Sequence, residues 1–245
     1  MNAKKSLIAC CAAGSIFVSS VALSAEPNSP SAEKPAVGDG KFKSLFDGKT
    51  LDGWKQIPDE SWIVKDGVMA SNGVARGVLY TDADYSHYRL LFSMRHVEVT
   101  SGNKDHRACV LFFCTRPELG EKPLDALAGI QFQVPNGGHW DYRPKHNNDG
   151  GEEFTAAKHA KFDEHQWSRV ELLVNADKGT ARMAVAQPVD APAVEVLSFD
   201  VPEAGRKGPI AWQIHNKGLL DEYKDVSIEV DPKVDELITV REAKK

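Results

Sequence analysis

Short apolar or alternating runs of strand length follow one another along most of this chain, with turn sequences between them. Alternation of apolar and polar residues is typical of half-buried strands, and Asp-Gly or Asn-Gly-Gly sequences mark the turns. Helical periodicity is nearly absent, and only residues 123–128 and 153–161 could hold short helices. We therefore predict an all-β fold, a sandwich of two antiparallel sheets or a jelly roll, whose first and last strands pair. The runs are 62–69, 77–81, 88–97, 109–115, 129–134, 167–174, 181–186, 194–199, 210–215 and 226–230.

The N-terminal residues predict export. Lys4 and Lys5 precede a largely apolar run over 7–21, and Ser24-Ala25 supplies small residues for cleavage, a pattern typical of a secretory signal peptide over residues 1–25. An uncleaved anchor is the weaker interpretation, because the run is shorter than the roughly 20 residues of a membrane span. We expect a periplasmic or secreted protein with no stable membrane insertion after cleavage.

The remaining chain has no second break in composition. Residues 26–41 are rich in Pro, Ser, Ala, Glu and Lys, which is typical of a flexible linker. Residues 42–241 are predicted to form a single domain, and residues 242–245 a charged tail. The formal net charge of −5 loses two positive charges with the signal peptide and becomes −7. This negative net charge disfavours nucleic acid or an anionic membrane as partner and favours a neutral small-molecule substrate. The sequence leaves the oligomeric state open.

Two cysteines remain after cleavage, Cys109 and Cys114. On one strand their side chains would point to opposite faces, too far apart for a disulfide. We expect two buried free thiols serving as small core residues, with no metal or cofactor.

The run over residues 210–215 offers the first candidate site. Its apolar residues Ile210, Trp212 and Ile214 share one face, which leaves Gln213 and His215 together on the other. An amide and an imidazole on the open face of a sheet could bind a polar ligand. The alternative is an exposed strand whose polar residues simply face water.

Alternation along two other runs also predicts polar side chains opposite a core face. Arg89, Ser93 and Arg95 alternate with apolar residues in one run, and Gln131 and Gln133 do so in another. If these strands are neighbours, one hydrogen-bonding floor would contain five residues: Arg95, Gln131, Gln133, Gln213 and His215. The alternative is a set of separate solvated side chains.

Residues 135–153 are predicted to form a glycine-rich loop over this floor. Trp140 or Tyr142 could stack on a sugar ring, while His139, Asp141, Asp149 or Glu152 could supply a titratable group. The alternative is a capping loop with a packed Trp. His139, Asp141 and His146 could in principle ligate a divalent ion, but their spacing is not that of a zinc site, and we predict no metal.

The order of several sequences resembles one known family. They are Phe42-Lys43-Ser44-Leu45-Phe46-Asp47-Gly48-Lys49-Thr50-Leu51-Asp52-Gly53-Trp54, Trp62-Ile63-Val64-Lys65-Asp66-Gly67-Val68, the strand 77–81, and Gly208-Pro209-Ile210 with Gln213 and His215. Together they resemble the 3-keto-disaccharide hydrolase family over residues 42–230. The resemblance implies a concanavalin A-like jelly roll in secreted or periplasmic proteins that act on sugars.

The chain departs from that family at positions that matter for chemistry. Gln131 stands where the family usually has Glu, and Asn136 where it has Asp; Arg116 is retained, and Lys224-Asp225 replaces an Arg-Asn pair. Amides bind sugar hydroxyls but do not exchange protons at neutral pH.

Two functions remain open on this resemblance. One is cleavage of 3-keto-glycosides by elimination, in which a base such as His215 removes the C2 proton and Arg95 or Arg116 stabilises the oxyanion. The other is a non-catalytic glycan-binding module on the same fold. A charged partner for His215 among Asp141, Asp149 or Glu152 would favour the enzyme.

Overall fold

The computed structural model of the chain describes residues 41–102, 109–117, 125, 127–136, 140–144, 152–154 and 161–240. The predicted signal peptide, almost all of the linker, and the predicted tail lie outside the described residues. Fifteen strands are present in the described part: β1 (Lys43–Ser44), β2 (Trp54–Ile57), β3 (Trp62–Lys65), β4 (Val68–Ser71), β5 (Gly77–Thr81), β6 (His87–Val99), β7 (Cys109–Phe112), β8 (Gly129–Gln133), β9 (Trp140–Arg143), β10 (Glu152–Phe154), β11 (Ser168–Asn175), β12 (Thr180–Ala186), β13 (Val194–Asp200), β14 (Ala211–Ile214) and β15 (Leu219–Val230).

The strands form two antiparallel sheets, which confirms the predicted all-β sandwich. One sheet has the order β13-β12-β11-β6-β15-β4-β3, with β1 also paired to β15, and the other has the order β10-β9-β8-β7-β14-β5-β2. The predicted pairing of the first and last strands is confirmed, since Lys43 lies opposite Ile228. No helix in the described part is long and apolar enough to cross a membrane.

Several strand boundaries differ from those predicted. The run 62–69 is two strands, because Asp66 and Gly67 both take positive φ angles (51° and 78°) and form a tight hairpin turn. The expected loop 135–153 contains β9 and the start of β10, so the helix expected over 153–161 does not begin at residue 153. Of the other expected helix, 123–128, residues 127 and 128 are not helical.

The core between the sheets centres on Trp212 of β14, which is fully buried. Its ring stacks on Trp54 of the same sheet at 4.5 Å between centroids, and lies 4.8 Å from Tyr223 and 5.8 Å from Phe92 of the opposite sheet. Aromatic pairs at these separations stabilise a core beyond the apolar area that they bury. The predicted inward face of this strand is confirmed.

The two thiols are free and buried, as predicted. The prediction that they lie on opposite faces is wrong: Phe113 has a positive φ of 53°, which breaks the alternation after β7. Cys114 therefore joins Cys109 in a smaller apolar cluster on the outer face of the seven-stranded sheet. Burial raises the pKa of the Cys114 thiol to about 12.

The expected open position of Arg89 is also wrong. Its guanidinium is buried, with ion pairs to Glu171 and Glu229, and it donates to the backbone carbonyl oxygens of Val234 and Glu236. Glu171 in turn accepts hydrogen bonds from the backbone of residues 238 and 239. This buried ion cluster fixes the C-terminal segment 231–240 across the outer face of the eight-stranded sheet.

Replacing Arg89 should cost much more stability than replacing a half-exposed arginine on the same sheet. We expect Arg89→Leu to lower the free energy of unfolding by about 3–5 kcal/mol, because two buried carboxylates lose their cation. Arg182→Leu, which removes the exposed pair with Glu195, should cost about 1 kcal/mol or less. Urea denaturation measures both values, and equal losses would contradict the assignment.

Candidate functional site

The outer face of the seven-stranded sheet brings three predicted site residues together. Gln213 of β14 lies opposite Cys109 of β7, and Cys109 lies opposite Gln133 of β8. In the next row of the same face, Ala211 is opposite Leu111, which is opposite Gln131. The expected proximity of the three glutamines is therefore present, with Gln133 half-buried and the other two buried.

Two of these glutamines belong to a buried polar network, which we call the Asp125 cluster: Arg76, Asp125, Gln131 and Gln213. Gln213 Nε2 donates to Asp125 Oδ2 at 2.7 Å and to Gln131 Oε1 at 3.2 Å. Arg76 Nε donates to the other oxygen of Asp125, Oδ1. The carboxylate is completely buried, whereas the Arg76 side chain is 35% exposed, so the cluster reaches the surface through the guanidinium.

The environment of Asp125 changes its proton affinity. Burial raises the pKa of this carboxyl above its ordinary value, and the hydrogen bond and charge of Arg76 oppose that rise, with a smaller contribution from the Gln213 amide. Because the carboxylate is completely buried, its pair with the Arg76 guanidinium is less screened by water than a pair between two exposed side chains. Asp125 therefore fixes the direction of the Arg76 guanidinium.

His215 lies at the same end of the sheet as Arg76. Ile214, the last residue of β14, pairs with Gly77, the first residue of β5. His215 directly follows β14 and Arg76 directly precedes β5, so each lies one position beyond that pair. His215 is half-buried and the Arg76 side chain is 35% exposed.

The expectation that Arg95 shares this floor is wrong. Arg95 is on β6 of the eight-stranded sheet, where its guanidinium pairs with Glu222 at 2.7 Å and lies 5.0 Å from the centre of the Trp167 ring. The inward and outward side chains of β6 alternate as predicted, but β6 belongs to the other sheet.

Arg116 is also remote from His215. It donates to the Asp84 carboxylate at 2.7 Å and to the Asp82 carbonyl oxygen at 2.6 Å. Those residues follow the end of β5, whereas Arg76 precedes its beginning. Five residues of extended chain separate Gly77 from Asp82, about 15–17 Å, so Arg116 is not placed to act beside His215.

The residues of the predicted loop divide into two groups. The Tyr142 ring packs against the main core and its hydroxyl donates to the Glu203 carbonyl oxygen at 3.4 Å. Trp140 and Asp141 pair with Phe132 and Gln131 through their backbones in β9. The side chains of Trp140, Asp141 and Glu152, and all of His139, His146 and Asp149, lie outside what the structure describes, so their roles stay predictions.

The Asn136 side chain has a structural role. Its side chain donates to the Phe162 carbonyl oxygen at 3.1 Å and accepts from the Phe162 amide at 2.7 Å. An aspartate could not make the first of these bonds. Among the described residues, no group of three or more His, Cys, Asp or Glu side chains could hold a metal ion.

Sequence reasoning missed Arg76 and Asp125. Arg76 precedes a predicted strand, and Asp125 lies in a stretch expected to be a short helix. Neither belongs to a motif, and no pattern in the chain relates two residues 49 positions apart. Only the folded chain brings them together.

The comparison with known families decides the affiliation of this chain. The model of the 3-keto-α-glucoside-1,2-lyase-like domain matches residues 41–229. The chain belongs to this family. The resemblance seen in the sequence is thereby confirmed, and the protein is a carbohydrate-related domain. No curated protein sequence matches it.

Solved structures similar to this lyase-like domain share its fold. A candidate glycosyl hydrolase from Parabacteroides distasonis is 15% identical, with a TM-score of 0.51 over 77% of this chain and 93% of that chain. Winged bean acidic lectin complexed with methyl-α-D-galactose is 10% identical, with a TM-score of 0.51 over 77% and 98%. The Ca²⁺- and Man3GlcNAc-bound lumenal domain of VIP36 is 7% identical, with a TM-score of 0.51 over 78% and 89%. These likenesses support the jelly-roll fold.

The electrostatics of the lyase-like domain predict how Asp125 responds to loss of its cation. In Arg76→Met, the pKa of the Asp125 carboxyl should rise further, because Arg76 supplies the main opposition to burial. The carboxyl carbon resonance of Asp125, followed by NMR against pH, measures this value. Lys55→Met, which removes the exposed pair with Asp82, should leave it unchanged; a lower or unaltered pKa in Arg76→Met would contradict the assignment.

Proposed function

We propose that this domain, exported to the periplasm or beyond, cleaves 3-keto-glycosides by elimination at the end of the sheet where His215 and Arg76 meet. One observation supports the proposal: Ile214 pairs with Gly77, so His215 and Arg76, whose guanidinium contacts buried Asp125, each lie one position beyond the same strand pair. Family membership supports the reaction class, and the signal-peptide pattern supports export.

The chemistry requires one base and one site for developing negative charge. A ketone at C3 makes the C2 proton acidic; the His215 imidazole takes that proton, and the electron pair of the C–H bond forms the enolate. The enolate then expels the group at C1, which leaves as an alcohol with the proton that His215 had taken. Water adds to the resulting C1–C2 double bond, OH to C1 and H to C2, to give the free 3-keto sugar. This route does not need the two carboxylates of an ordinary glycosidase.

Arg76 is the arginine that we assign to the enolate oxygen. It is partly exposed, its direction is fixed by Asp125, and it lies at the His215 end of the sheet. A cation aimed at the developing charge before the reaction begins stabilises the transition state most effectively. Asp125 is then a positioning residue, since its carboxylate is completely buried.

Turnover of a chromogenic 3-keto-glucoside by the chain without residues 1–25 tests these roles. Arg76→Met should lower kcat by about 10²–10³-fold, and His215→Gln by about 10²–10⁴-fold. Arg95→Met and Arg116→Met are matched controls that should retain wild-type turnover. A loss in either control equal to that in Arg76→Met would contradict the assignment, and loss on treatment with a chelator would point to a metal.

The second candidate function is glycan binding without catalysis. It is favoured by the amide at position 131, where the family usually has a carboxylate, because an amide forms hydrogen bonds but exchanges no proton at neutral pH. Binding of glycosides with no turnover of the 3-keto-glucoside by the wild-type protein would select this function over the first.

A further inference from the structure

We infer that Gln131 and Gln213 recognise one hydroxyl group of the bound sugar, and that Asp125 fixes the direction of both amides. The inference rests on the proposed function, because it assigns a specificity to the same site. It follows from a count of the donors and acceptors in the Asp125 cluster.

The direction of the Gln213 amide is set first. An ionised carboxylate only accepts hydrogen bonds, so the group that faces Asp125 Oδ2 must be the Gln213 NH₂. The same nitrogen also faces Gln131 Oε1 at 3.2 Å, which uses its second N–H. Gln213 Oε1 is left as an acceptor with no hydrogen-bond partner among the described residues.

The direction of the Gln131 amide follows from that of Gln213. Its oxygen accepts from Gln213, so its NH₂ must point elsewhere. Gln131 Nε2 is left as a donor with no hydrogen-bond partner in the described part of the chain. Both side chains are at least nine-tenths buried, with exposures of 4% for Gln131 and 0% for Gln213. Buried polar atoms in native proteins are nearly always paired. Here an unpaired donor and an unpaired acceptor belong to two amides that are hydrogen-bonded to each other, and from this juxtaposition we infer a ligand position.

The two unpaired atoms, Gln131 Nε2 and Gln213 Oε1, determine which functional group of a ligand would fit between them. One amide offers an N–H and the other a carbonyl oxygen, and a hydroxyl both accepts and donates. An alcohol of a sugar ring therefore satisfies both atoms. A ketone or an ether oxygen satisfies only Gln131 and leaves Gln213 Oε1 unpaired, so this subsite should bind an alcohol and exclude the oxidised carbon of a 3-keto sugar.

Binding of unreactive ligands tests the inference without catalysis. Methyl glucoside and its four monodeoxy analogues are titrated calorimetrically into the chain without residues 1–25, and cleavage of the 3-keto-glucoside is measured in parallel. We expect removal of one particular hydroxyl to weaken binding by about tenfold to a hundredfold, because the buried amide atoms are then left unpaired.

Substitution of Gln131 tests whether its amide binds that hydroxyl. In Gln131→Met, which keeps the shape but not the donor, the penalty at that one ring position should fall below about threefold, while the other positions keep their wild-type ratios. Gln166→Met, on the exposed Gln166 that contacts Asp163, is the matched control and should leave every ratio unchanged.

A wild-type protein that binds glucosides and cleaves the 3-keto-glucoside, but treats all monodeoxy analogues alike, would overturn this inference and leave the proposed function intact. Equal weakening at all positions in Gln131→Met would overturn it as well. A protein that neither binds any glucoside nor cleaves the 3-keto-glucoside would overturn the proposed function, and the inference with it.

Discussion

The packing of Trp212 between the sheets is the interaction on which the rest of the molecule depends. Its ring contacts Trp54 within its own sheet and Tyr223 and Phe92 across the core. Because side chains alternate along a strand, a Trp fixed inward at position 212 fixes Gln213 outward. A slip of β14 by one residue would bury the amide in the core and expose the indole. The aromatic core therefore sets the register that places Gln213 beside Asp125.

Two buried ionic clusters in this protein differ in how completely their polar atoms are paired. Arg89 is paired with two carboxylates and two backbone carbonyl oxygens, and Glu171 is further bonded to the C-terminal backbone. The contacts of this cluster connect the eight-stranded sheet to the C-terminal segment of the chain. The Asp125 cluster, by contrast, leaves the Gln131 nitrogen and the Gln213 oxygen without partners in the described residues. These two unpaired atoms are the difference from which we infer a ligand position in the Asp125 cluster.

The sequence predicts the class of fold because alternation is a local property of each strand. The hairpin of β11 and β12, the inward face of β14 and the pairing of β1 with β15 all follow from patterns visible in the chain. Alternation does not reveal which strands are neighbours. Arg95 and Gln131 satisfy the same parity rule, yet they lie on different sheets. Asp125 lies in an irregular segment and is positioned by tertiary contacts alone, so no periodicity could identify it.

The loss of a carboxylate at position 131 changes the site less than the sequence suggests. The family pattern has Glu there, and an amide at that position exchanges no proton at neutral pH. In this structure a different segment supplies a carboxylate to the same face, because Asp125 reaches Gln213 from outside the sheet. A Glu at 131 would place a second negative charge within one amide of Asp125, and the two carboxylates would compete for the Gln213 NH₂ and repel each other. The amide at 131 removes that repulsion, so one carboxylate, neutralised by Arg76, orients the whole cluster.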